Sequence, residues 1–111
     1  MTDQNDESPS EFVVDVEGVG QFVFAKRNMR REIKATIELR KFTEGVEVDK
    51  FTLAVLSILA ELKALTISGP KRWGPDELDD LDPLDDEVYA KILKVGEALR
   101  EKERSFRRPR T

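Results

Sequence analysis

The sequence contains no cysteine and no histidine, and each absence closes a branch of chemistry. Without cysteine there is no disulfide, no thiolate metal site and no thiol nucleophile. Without histidine there is no imidazole base, so no side chain has an ordinary pKa close to 7. Aromatic residues make up only 7% of the chain, which leaves the core mostly to aliphatic side chains. Long apolar runs are missing as well. The longest, Leu53 to Ala60, is broken by Ser57 and falls far short of the ~20 residues that a membrane-spanning helix needs. The stretch "MTDQNDESPSE" is acidic and polar with no apolar centre, so it does not read as a secretory signal. The expectation is a cytoplasmic protein.

What is present is charge, and it is segregated. Charged residues account for 38% of the 111 residues, with a net charge of −4. A chain of this length fits one domain, with about two thirds of its unfolded surface buried on folding. Residues 1–10 have the composition of a disordered acidic tail, and residues 106–111 that of a flexible basic one. Between them, "EFVVDVEGVGQFVFA" alternates apolar and polar residues. Phe12, Val14 and Val16 share a face that Phe22 and Phe24 continue beyond Gly18 and Gly20, which predicts a β-hairpin over 11–25. A lone hairpin is marginal in water, so this face must lie on something.

Helices supply that support. Asn28 is a suitable N-cap for a helix over 28–43, with Gly45 as its stop. This helix carries two apolar stripes. Met29, Ile33 and Ile37 form one, and Ala35, Leu39 and Phe42 the other, as expected for a helix sandwiched between layers or held between the core and a partner. Asp49 caps a second helix over 49–66, with Val48 and Leu53 placed for a hydrophobic staple. Eleven of the fifteen residues from Phe51 to Leu65 are apolar, so this is the expected central helix. Residues 68–85 read as an acidic loop with a short helical turn starting at Pro75. A last helix over 86–104 aligns Val88, Ile92, Val95 and Leu99 in a single stripe. The fold class is therefore α+β, mainly α, with an N-terminal hairpin packed on about three helices. Trp73 is expected to fold over the core. Phe106 either closes the stripe after Leu99 or becomes ordered on a partner.

The densest chemical feature is "DELDDLDPLDDE", in which eight of twelve residues are acidic. A calcium loop needs oxygen ligands at fixed positions with a glycine at the sharp turn, and here Leu78, Leu81, Pro83 and Leu84 interrupt a run without glycine. Carboxylate acid–base catalysis needs two acids facing across a cleft with separated pKa values, and an exposed loop on a small core offers none. No catalytic, metal or cofactor residue is therefore assigned. Capping explains most of the run. Asp85, Asp86 and Glu87 oppose the positive end of the last helix, with Leu84 stapling to Tyr89, and Asp76 and Glu77 serve the preceding turn. Asp79, Asp80 and Asp82 remain as a surface for a basic partner or for basic segments of this chain.

Two basic clusters stand apart from it. Lys26, Arg27, Arg30, Arg31 and Lys34 crowd the start of the first helix, where the helix dipole disfavours cations. Arg30, Lys34 and Lys41 fall near one another on a helical wheel. The second cluster comprises Arg100, Lys102, Arg104, Arg107, Arg108 and Arg110. The overall acidic balance and the lack of a nucleic-acid motif weigh against nucleic-acid binding.

The order of segments resembles a known family. "GVGQFVFAKRNMRREI" precedes "RKFTEGVEVDKF" and a leucine-rich helix, and "LTISGPKRWG", "DPLDDEVYAKILKV" and "LREKERSFRR" follow. Over most of residues 11–108 this is similar to the tail assembly chaperones of long-tailed bacteriophages and prophages. The resemblance implies a non-enzymatic cytosolic protein, mainly helical with a small β element, that coats the tape measure protein and keeps it soluble during tail morphogenesis. It also implies self-association, and in some members recruitment of tail tube protein through a frameshifted extension. On this reading the client-facing surface draws on Met29, Ile33 and Ile37 with Arg30 and Lys34 at its rim, and Asp79, Asp80 and Asp82 form a docking edge. The competing expectations are a structural head–tail connector or other virion component and, behind it, a nucleic-acid-binding regulator.

Overall fold

The computed structural model describes residues 10–82 and 85–106. The tail residues 1–9 and 107–111, and the proposed Leu84 staple, lie outside the described residues. Strands β1 (Glu11–Val16) and β2 (Gly20–Ala25) form the predicted hairpin, pairing Phe12 with Phe24 and Val14 with Phe22. The turn closes through the Val19 N–H donating to the Val16 carbonyl at 2.9 Å. Gly18 adopts φ +83° in this turn, a conformation that favours glycine. Alternation does the rest: Phe12, Val14, Val16, Phe22 and Phe24 are all buried on one face.

Helix α1 (Met29–Thr43) is followed by α2 (Lys50–Leu65), which packs along it as a helical hairpin. Asn28 and Asp49 cap these helices, accepting from the backbone N–H groups of Arg31 at 2.9 Å and Thr52 at 2.7 Å. Gly45, just beyond α1, takes φ +73° as the helix stop. The chain leaves α2 earlier than its apolar pattern predicts. Thr66 is already extended, and Thr66–Ser68 forms β3, antiparallel to β2, with Phe24 opposite Thr66. The hairpin is therefore part of a three-stranded sheet of order β1-β2-β3. Two β-branched residues ahead of Gly69-Pro70 favour an extended exit from the helix, and the open edge of β2 provides the partner.

A hydrogen-bonded turn starts at Pro75, the Glu77 N–H donating to the Gly74 carbonyl at 2.9 Å, and a 3-10 turn over Leu78–Asp80 continues it and buries Leu78. Helix α3 (Asp86–Ser105) then crosses both α2 and β1, with Asp85 accepting from the Glu87 N–H at 2.9 Å as its cap. The core lies between the sheet and the α2–α3 pair, centred on Phe22, Phe24, Leu62, Leu65, Ile92 and Leu99. Phe22 and Phe24 stack at 5.4 Å, and the buried Trp73 meets Phe22 edge-on at 6.1 Å. Phe106 closes the C-terminal end of α3 edge-on against Phe12 at 5.0 Å, with the Lys26 ammonium 4.9 Å from its ring.

Candidate functional site

Helix α1 lies outside this core. Only Ala35 of α1 is fully buried, with Leu39 and Phe42 partly covered on the same side. The other stripe faces outward: Met29 is 74% exposed, Ile33 56% and Ile37 51%. Of the two apolar stripes, the one holding Ala35, Leu39 and Phe42 takes the α2 side. Met29, Ile33 and Ile37 line a shallow groove together with Glu32, Thr36, Arg40, Lys41 and Glu44. Scattered apolar residues are normal on a protein surface, and this contiguous stripe is the candidate for an interaction surface.

Two ion-pair clusters hold α1 in place. At its start, the Arg27 guanidinium donates twice to Glu103 of α3, at 3.1 and 3.0 Å, and lies 3.2 Å from Glu32. It also approaches Glu61 of α2 at 3.7 Å, and Glu61 in turn meets Arg100 at 3.5 Å. Burial alone would lower the Arg27 pKa; the Glu103 hydrogen bonds and the charges of Glu103, Glu61 and Glu32 outweigh that and raise it. Further along, the Lys63 ammonium of α2 sits 2.8 Å from Asp79, 3.4 Å from Glu38 of α1 and 5.4 Å from the centre of the Phe42 ring. The Asp79 hydrogen bond is the main reason the Lys63 pKa is raised. A face held this way is pre-organised, which reduces the entropy lost when a partner docks.

The predicted site residues divide accordingly. Met29, Arg30, Ile33, Lys34 and Ile37 are all exposed along α1. Asp79 lies elsewhere, on the 3-10 turn, and its carboxylate is engaged by Lys63. Asp80 and Asp82 are exposed beside it. Glu77 serves the turn that starts at Pro75, its carboxylate accepting from the Gly74 N–H at 3.3 Å, and makes no side-chain cap bond to the 3-10 turn that follows. Among the described residues no cluster of three carboxylates converges in a way that would hold a metal ion, and no helix is long and apolar enough to cross a membrane.

Two features were not legible in advance. Phe51 and Leu53, at the start of the helix expected to be central, are exposed, and Phe51 packs on Tyr89 at 5.8 Å. Their signal was the excess of apolar residues in α2 over what one core can cover. The second is a cleft of about 590 Å³ between the helices, walled by Phe42, Leu56, Leu59, Val88 and Tyr89 with the Lys63–Asp79 pair at its rim. Lys63 also pairs with Glu38 there, and Glu38 with Lys41. The chain matches no protein-family model, and comparisons with curated proteins and with solved structures returned no significant match.

Proposed function

We propose that this protein is a non-enzymatic binding module that holds an apolar helical segment of another protein on the outer face of α1. The observation that carries this reading is the exposed Met29–Ile33–Ile37 stripe on a helix anchored from behind by ion pairs. Helix-in-groove recognition uses anchors at this spacing, and the task requires apolar contact framed by charge, with no bond-making chemistry. On the resemblance of its segments to tail assembly chaperones, the client is the tape measure protein of a long-tailed phage or prophage, bound in the host cytoplasm during assembly.

The test is co-expression of the chain with the long helical protein encoded beside it. The client is expected to become soluble and to co-purify, whereas an unrelated protein of matched charge leaves it insoluble. Ile33→Asp and Ile37→Asp should fold, each costing less than about 1 kcal/mol because the sites are exposed, yet lose the client. A client that stays insoluble beside well-folded wild-type chain removes the chaperone role, and retention of the chain in purified particles points to a structural virion component instead.

A further inference from the structure

The charges around the α1 stripe are not symmetric, and their arrangement specifies the partner's chemistry. At about 100° per residue, Met29, Ile33 and Ile37 span roughly 80° of the helix circumference. Arg30, Lys41 and Lys34 follow in order on one side, and all three are exposed. Arg30 and Lys34 have no ion-pair partner among the described residues, while Lys41 reaches Glu38 at 3.7 Å. Exposed Arg40 falls within the arc of the stripe and Glu44 borders its C-terminal end, while the opposite side holds Thr36, Thr43 and Glu32, and Glu32 is 3.2 Å from Arg27. A basic edge therefore runs along one side of the apolar stripe, in a protein whose net charge is −4.

We infer that the occupant of this face is an amphipathic helix of another protein, with an apolar ridge flanked on one side by acidic residues that meet Arg30, Lys34 and Lys41. This refines the binding reading above and rests on it. Charge complementarity selects this occupant over a second copy of the chain. An antiparallel two-fold pairing of α1 with itself sets each basic edge against the same edge of its mate, with Lys34 facing Lys34. A parallel pairing sets the basic edge against Thr36, Thr43 and a Glu32 already held by Arg27. Neither neutralises the three cations, whereas a row of carboxylates does. Like charges across an interface penalise wrong partners, and opposite charges fix which way round the right one lies.

The experiment measures binding of the full chain to two helix-stapled synthetic peptides with identical leucine ridges, one flanked by glutamates and the other by lysines. Fluorescence anisotropy should show the glutamate peptide binding about tenfold more tightly, the size expected for three exposed ion pairs. That advantage should shrink as salt rises. A triple variant, Arg30→Glu with Lys34→Glu and Lys41→Glu, should invert the preference while its helical circular dichroism stays at the wild-type level. Equal affinity for both peptides, with loss of both in Ile33→Asp, overturns the acidic-edge assignment and leaves the apolar docking face standing. No binding of either peptide overturns both. A concentration-dependent dimer in sedimentation that excludes both peptides, and that Ile33→Asp abolishes, assigns the face to a second copy and overturns the inference.

Discussion

Asp49 shows how a single side chain couples this fold to pH. Its carboxylate accepts from the Thr52 backbone N–H, and that bond holds its pKa below the ordinary 3.8. A depressed carboxylate pKa contributes stability that is fully present above the unfolded value and is lost as pH falls through the folded one. The window is therefore below about pH 4, the unfolded-state range for aspartate. Asp49→Asn keeps an N-cap acceptor but does not titrate. Thermal melts between pH 5 and pH 2 should show the wild type losing more midpoint than Asp49→Asn across that window. Parallel curves would mean that the cap bond does not depend on the charge. Asn28 does the same capping work for α1 without titrating, so the cap bond of α1 itself should not respond to acid.

Among the elements, α2 and α3 meet closely at Gly96. A β-carbon on Gly96 would lie 2.8 to 3.0 Å from three atoms of the Ile58 side chain, so this glycine lets the two helices approach. Two effects compete in Gly96→Ala. Alanine favours helix over glycine by about 1 kcal/mol, while overpacking a close-packed core costs ~1–3 kcal/mol. Because the clash involves Ile58 from its branch outward, with Val95 and Leu99 buried alongside, overpacking should win. The expected net loss is about 1 kcal/mol in urea melts. Ile58→Ala in the same chain should absorb the added methyl, so the double variant should lose less than the sum of the single ones. Additive losses would show that the helices shift apart instead. The two stripes of α1 were visible as a repeat of apolar residues, but a helix wheel ranks neither stripe as the inner one.

For the molecule as a whole, Arg27 is the joint between layers. It stands where β2 leads into α1 and bonds across to α3 while approaching α2. Glu61 Oε1 is buried without a hydrogen bond, 3.7 Å from the guanidinium. Removing Arg27 therefore strands Glu103 and leaves Glu61 with Arg100 as its remaining cation. Arg27→Ala is expected to cost about 2 kcal/mol, less than the ~3–5 for breaking a fully buried pair because the site is partly solvated. Arg27→Lys should recover little, since an ammonium cannot reproduce the two parallel bonds to Glu103. Full recovery by lysine in chemical denaturation would reduce Arg27 to a point charge. The loosened α1 of Arg27→Ala should also bind its client more weakly, because the docking face loses its anchor.

Local chemistry made much of this protein legible from its residues. The caps at Asn28, Asp49 and Asp85 and the stop at Gly45 act within a few positions of themselves, so their meaning travels with the sequence. Hairpin alternation and the single stripe of α3 are likewise repeats with a period that the backbone imposes. The outward stripe at Met29, Ile33 and Ile37 was legible as a candidate on the same basis. Tertiary structure alone decided the rest. Thr66–Ser68 is a strand because β2 has an open edge for it to pair with. The Ala35 stripe faces inward because α2 lies there, and Asp79 is engaged because Lys63, sixteen residues away, reaches it. Each of these depends on groups far apart in the chain, which meet only after the core between sheet and helices has closed.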